Sequence, residues 1–113
     1  MKPEFEKNML IAGELLSYCH IRGASEYSLD IKAEGGGVTF TMKASPVAVT
    51  PEQLERLRRR LNAPRQREIE QGFWALSGES ENTSELMLVG MMCDGAKVEY
   101  DGSAIVITLV RLA

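Results

Sequence analysis

The sequence predicts an α/β two-layer sandwich in which a four-stranded mixed sheet carries helices on one face. Four short runs of alternating or wholly apolar residues predict four strands, arranged as one hairpin near each end of the chain. Elsewhere apolar residues recur at intervals of three and four, which is the period of an amphipathic helix. The predicted order is α-β-β-α-α-α-β-β. The apolar faces of the helices can all be buried against one sheet, so residues 1–113 are predicted to form a single domain.

The N-terminal half contains the first helix and the first hairpin. Apolar residues at helical spacing predict a helix from Phe5 to about Ile21. Alternating residues then predict strands over 27–34 and 38–43, and the three glycines at 35–37 between them predict the turn.

The C-terminal half begins with a helix start at Thr50, which is followed by a proline and, three positions after the cap, by a glutamine. Further helices are predicted over 69–76 and, after a capping arrangement of Asn82 with Glu85, up to about Asp94-Gly95. The closing hairpin is predicted over 96–112. Its last strand has little polar face, which predicts a central strand or one covered on both sides.

Composition limits the classes of function. Apolar residues make up 44% of the chain and charged residues 26%, which is typical of globular domains, and the formal charge of −3 argues against binding nucleic acid or anionic lipid. No apolar run approaches the roughly 20 residues that span a bilayer. Cys19 and Cys93 lack metal-ligand spacing and are predicted to be buried, reduced thiols. We therefore expect a cytoplasmic protein without a membrane partner.

Two segments resemble a known family. The segment 14–19 (ELLSYC), followed by residues 23–26 (GASE) and a strand, is similar to the first helix and strand of GHKL domains, the Bergerat-fold, histidine-kinase-like ATP-binding family. The segment 85–94 (ELMLVGMMCD), followed by a hairpin with Asp101-Gly102, resembles the final helix and closing strands of the same family. The resemblance implies a fold that elsewhere binds ATP and Mg²⁺ between these helices.

The chain departs from this family at each position that would handle nucleotide. Glu14 matches the glutamate that activates water, but Tyr18 stands where active members carry the asparagine that holds Mg²⁺, and a phenol is a poor ligand for this ion. Lys43 and its neighbours replace the motif that recognises adenine. Glu85 replaces the first phosphate-binding glycine, and its carboxylate would repel a triphosphate. The resemblance thus implies a degenerate pocket, formed by Glu14, Tyr18, Lys43 and Glu85, without cofactor, metal or catalytic residue; Glu14 alone remains a candidate base.

Two further features have both a functional and a structural interpretation. The arginines near the second helix are candidates to bind phosphate or an acidic partner, above all Arg56, Arg59 and Arg60, or else they form a solvated helix face balanced by glutamates. Trp74 is adjacent to Phe73, so the two point about 100° apart on a helix; one is a candidate interface or pocket-filling residue, and core packing is the alternative.

The sequence favours a non-catalytic GHKL-like module of bacterial-type intracellular signalling or regulation that acts by protein contact, for which a homodimer is one candidate form. A divergent ATP-binding enzyme of the GHKL type, with Glu14 as base and the arginines as phosphate clamp, is one alternative. A structural domain of an unrelated process is the other.

Overall fold

A computed structural model describes residues 3–65 and 85–112 and shows an α+β fold, as predicted. The elements are α1 (Pro3–Ile21), β1 (Glu26–Glu34), β2 (Gly37–Ser45), α2 (Pro51–Leu61), α3 (Glu85–Met91), β3 (Gly95–Tyr100) and β4 (Ile105–Leu112). The strands form one four-stranded sheet in the order β1-β2-β4-β3. The helix predicted over 69–76 lies outside the described residues.

The sheet is antiparallel throughout, so the prediction of a mixed sheet is wrong. Strands β1 and β2 form one hairpin, β3 and β4 form the other, and β2 also pairs antiparallel with β4. The helical connection brings β3 into the same direction as β2, but β4 lies between them and separates the two parallel strands. The apolar β4 thereby takes a central position, as its sequence predicted.

The first hairpin turns at Gly35 and Gly36, whose φ angles are +60° and +82°. Two successive residues with positive φ make the turn that suits the twist of antiparallel strands, and glycine adopts this conformation without steric cost. Glu34 and Gly37 are the paired residues on either side of the turn. The glycine run therefore sets the register of both strands.

One face of the sheet packs against the helices. Along β4 the residues at odd positions from 105 to 111 are buried, whereas the even ones are half-buried or exposed on the opposite face. The largest fully buried side chains come from the sheet and from all three described helices: Ile11, Leu15, Phe40, Met42, Leu57, Leu61, Leu86, Val89, Met92, Ile105, Ile107 and Leu109. No helix among the described residues is long and apolar enough to cross a membrane.

The predicted start of α2 is confirmed in detail. The Thr50 hydroxyl accepts from the backbone N–H of Gln53 at 3.1 Å, and the Gln53 side chain accepts from the N–H of Thr50 at 2.9 Å. This reciprocal pair satisfies two backbone donors that the first turn of a helix leaves open. Pro51 at the first helical position has no such donor to satisfy.

Helices α2 and α3 touch through their backbones at Gly90. A Cβ atom on Gly90 would lie 2.0 Å from the carbonyl oxygen of Arg60 and 2.9 Å from the Cα of Leu61. Both neighbours are main-chain atoms, which cannot turn away as a flexible side chain can. The position of α3 on α2 thus requires a residue without a side chain.

A buried arginine joins three elements near the C-terminal end of α3. Arg111 lies on the helix side of β4 with 3% of its surface exposed. Its Nη2 and Nε lie 2.9 Å and 3.1 Å from the Glu4 carboxylate of α1, and its Nη1 donates to the carbonyl of Met92 at 2.6 Å. The guanidinium therefore fixes the start of α1 and the end of α3 against the sheet.

We predict that Gly90→Ala lowers the free energy of unfolding by about 3 kcal/mol or more, because the added methyl group forces the two helix backbones apart. Gly13→Ala is the matched control, since it adds the same group to α1 where no atom lies within 4 Å. There alanine should stabilise the helix by about 0.5–1 kcal/mol. Urea unfolding of both variants measures the difference, and equal midpoints would contradict the close approach.

Candidate functional site

Helix α1 places Glu14 and Tyr18 one turn apart on the same side of the helix. Glu14 is half-buried, whereas Tyr18 is buried with 6% of its surface exposed. The Tyr18 hydroxyl has no hydrogen-bond partner within residues 3–65 and 85–112. The guanidinium of Arg22 lies over the Tyr18 ring, 5.0 Å from its centroid, at a distance that allows a cation–π interaction.

Tyr18 lies in the wall of a small cavity between the three helices. Its volume is about 20 Å³. The lining residues come from α1, its C-terminal end, α2 and α3: Tyr18, Arg22, Gln53, Arg56, Leu57, Arg60 and Leu86. A space of this size holds about one water molecule.

The cavity, hereafter the arginine pocket, has three arginines in its lining, Arg22, Arg56 and Arg60. None of these three forms an ion pair with the carboxylates of the described ranges. Mutual repulsion of like charges makes such a cluster unfavourable by itself, and an anionic group at its mouth would relieve it.

The other arginines of the predicted cluster are separated by the structure. Arg58 donates to the backbone carbonyl of Val98 at 2.9 Å, and Arg65 forms an ion pair with Asp94 at 2.6 Å. Arg59 is absent from the lining of the arginine pocket and lines a separate shallow depression on α2 together with Arg56, Glu52 and Glu55. Of the three candidates Arg56, Arg59 and Arg60, only Arg56 and Arg60 therefore line the same cavity as Tyr18.

The remaining candidates from the sequence are Lys43, Glu85 and Trp74. Lys43 lies on the face of the sheet that points away from the helices, where it pairs with Ser28 and Val106. The structure therefore does not bring Lys43 near Tyr18. Helix α3 is described from Glu85 onward and residue 84 lies outside the described residues, so the place of Glu85 at the helix start stays a prediction. Trp74 lies outside the described residues.

Glu14 and His20 both lie on α1. Within residues 3–65 and 85–112 no group of three or more His, Cys, Asp or Glu side chains is placed to hold a metal ion. His20 lies at the end of α1, where its Nδ1 is 2.9 Å from the Tyr27 hydroxyl. That hydroxyl donates to the carbonyl of Ala24, so Nδ1–H of His20 donates to Tyr27. The histidine thus secures the entry into β1.

Sequence reasoning missed Arg22 and Gln53 as pocket residues and Arg111 as a buried charge. A signal existed for Arg111, because it shares its odd position with the buried residues of β4. A signal existed for Arg22 as well, since it follows Tyr18 by four residues, which is one helical turn. The place of Gln53 in this cavity depends on how the helices are arranged over the sheet, which no local pattern encodes.

Comparison with known proteins assigns no family to this chain. No protein-family model matches it, and no curated protein sequence matches it either. Its function has to be inferred from its own residues.

We predict that the buried thiol of Cys19 makes the fold sensitive to alkaline pH. Burial raises the pKa of Cys19 to about 11, whereas an exposed thiol ionises near pH 8.5–9. Below about pH 8.5 the thiol is protonated in both the folded and the unfolded chain, so it does not change the free energy of unfolding. It falls as the pH rises from about 9 to 11, because there only the unfolded chain releases the proton, and the loss is about 2–3 kcal/mol.

Urea unfolding between pH 8 and pH 11 under reducing conditions measures this loss. Cys19→Ala is the comparison, since it keeps all other titrating groups and removes only the thiol. A slope as steep in this variant as in the parent would contradict the assignment to Cys19.

Proposed function

We propose that this chain is a non-catalytic module of the GHKL type that acts in intracellular signalling or regulation by binding another protein. The observation that carries the proposal is the buried Tyr18 in a cavity of about 20 Å³. The family resemblance implies that Mg²⁺ and the phosphates of a nucleotide would have to lie at this position. Pockets for ligands of that size measure about 300 Å³ or more.

The packing around Tyr18 supports the loss of nucleotide chemistry. Leu57 of α2 and Leu86 of α3 are buried beside Tyr18 in the same core cluster. Opening a nucleotide site here would expose these apolar side chains and separate two helices that meet at Gly90. The cost would be large compared with the typical stability of a small domain, about 5–15 kcal/mol.

The charges around the cavity support a partner of a defined chemistry. Arg22, Arg56 and Arg60 carry three positive charges at one place in a chain whose formal net charge is −3. Guanidinium groups bind carboxylates and phosphates through two parallel hydrogen bonds. The partner therefore presents an acidic side chain or a single phosphorylated residue to the surface outside this cavity, which itself holds only about one water molecule.

The first test is calorimetry with ATP and ADP, with and without Mg²⁺, together with the thermal unfolding midpoint. We expect neither heat of binding nor a shift of the midpoint at nucleotide concentrations up to about 1 mM, which corresponds to binding weaker than about −4 kcal/mol. A saturable shift that is lost in Glu14→Gln or Arg60→Ala would contradict the proposal and favour a divergent ATP-binding enzyme.

The second test uses an acidic peptide, poly-glutamate, as a probe of the arginine pocket. We expect binding that weakens with added salt and is lost in the double variant Arg56→Glu/Arg60→Glu. Lys43→Glu/Lys97→Glu is the matched control, because it changes the net charge equally on the other face of the sheet. Equal losses in both double variants would show only a general charge effect and would leave the chain as a structural domain.

A further inference from the structure

The two edge strands of the sheet, β1 and β3, differ in the contacts that other elements make with their outer backbone groups. At the β3 edge, the carbonyl of Val98 accepts from the Nη2 of Arg58 at 2.9 Å, and the N–H of Ala96 donates to the Asn62 side chain at 3.0 Å. These are backbone groups that an additional strand would need. Side chains from α2 and its C-terminal cap thus block the β3 edge.

Among the described residues, nothing pairs with the outer edge of β1. β1 contains nine residues and β3 only six. Within the described ranges no side chain or backbone group bonds to the free edge of β1 between Tyr27 and Ala33. Natural proteins generally blunt or cover long edge strands, because their free N–H and C=O groups pair with other chains. An edge left open opposite a blocked one indicates that strand addition occurs at β1.

The helix-side face of β1 is also incompletely covered. Helix α1 packs over β2 and α3. Leu29 and Ile31 of β1 are therefore only half-buried, and Tyr27 is 41% exposed. The groove between β1 and α1 is apolar, and its lining includes Leu16 and Tyr27.

The α1 wall of this groove carries exposed apolar side chains. Phe5, Met9 and Leu16 fall on one side of the helix, and Phe5 and Met9 are 51% and 41% exposed. His20, which contacts Tyr27, lies on the same side and shows that this side faces β1. An open strand edge and an apolar groove thus lie next to each other.

We propose that β1 pairs antiparallel with β1 of a second copy of this chain, about a two-fold axis at Ile31, to form a continuous eight-stranded sheet. This register places Asp30 opposite Lys32 of the second copy and Lys32 opposite Asp30 of the second copy. Two cross-strand ion pairs result, and Leu29 faces Ala33 on the apolar side. Centring the axis on Asp30 would instead oppose two aspartates, and like charges directly opposite destabilise a strand pair.

The same symmetry covers the groove. With strands about 4.8 Å apart, the two β2 strands and the α1 helices above them lie about 14 Å from each other across the two copies of β1. The Phe5, Met9 and Leu16 side chains of both copies point into that space. The surface is self-complementary, as a two-fold interface requires.

Analytical ultracentrifugation and native mass spectrometry test the proposal on the whole chain. We expect a species of twice the chain mass of 12.5 kDa. Asp30→Lys alone and Lys32→Asp alone should each weaken the dimer by roughly tenfold or more, because two attractive pairs become repulsive. The double variant D30K/K32D should recover the affinity of the parent, and an equimolar mixture of the two single variants should form the mixed dimer in preference to either homodimer.

Both changed residues are exposed, and their neighbours on β2 are Thr41 and Thr39, so the fold tolerates the substitutions. Glu99→Lys on β3 is the control, since it changes an exposed charge at the blocked edge and should leave association unchanged. A monomer at all concentrations up to about 1 mM, or association sensitive to Glu99 and not to Asp30, would overturn the proposal. Loss of association in Lys32→Asp but not in Asp30→Lys would overturn the register about Ile31. These outcomes do not depend on the nucleotide or poly-glutamate experiments.

Discussion

The buried guanidinium of Arg111 is the constraint on which the arrangement of helices over this sheet depends. It is buried on the apolar side of the central strand β4, and its bonds extend to Glu4 at the start of α1 and to the carbonyl of Met92 just after α3. A buried charge without its partners costs about 3–5 kcal/mol, so helix placements that leave it unpaired are strongly disfavoured. Close by, Asp94 bonds to the backbone N–H of Leu112 and to Arg65. Polar contacts thus anchor the C-terminal end of β4, whereas apolar packing fills the rest of the core.

Local sequence was sufficient to predict most of the described elements because each depends on nearby residues. Alternation defined β1 and β2, the glycines at 35 and 36 supplied the positive φ angles of their turn, and the Thr50 to Gln53 capping box began α2 where predicted. Each of these signals involves only a few neighbouring residues, so it does not depend on the tertiary structure of the rest of the chain. The central position of β4 was also predictable, since its run of apolar residues needs neighbours on both sides.

Features that depend on contacts between residues far apart in the sequence could not be predicted from local patterns. The antiparallel sheet follows from the insertion of β4 between β2 and β3, which is a choice of topology and not of propensity. Lys43 was grouped with Tyr18 by analogy to a motif, but its position in the strand alternation places it on the opposite face of the sheet. Arg56 and Arg60 line one cavity with Arg22 because of how the helices are arranged over the sheet. For the candidate site, therefore, the sequence indicated the residue types, and the packing of the helices determined which of them meet.

The side chains that α2 places on β3 have a consequence for how large any assembly can grow. A sheet with two receptive edges can add subunits at both, and repeated addition of this kind produces filaments. Arg58 and Asn62 occupy the backbone groups of one edge from within the same molecule. A two-fold contact through β1 uses the β1 edge of both subunits. Only the two β3 edges, which Arg58 and Asn62 occupy, then lie at the outside of the joined sheet. Under the proposed pairing, the addition of subunits stops at two, because Arg58 and Asn62 of each copy occupy the outer edges.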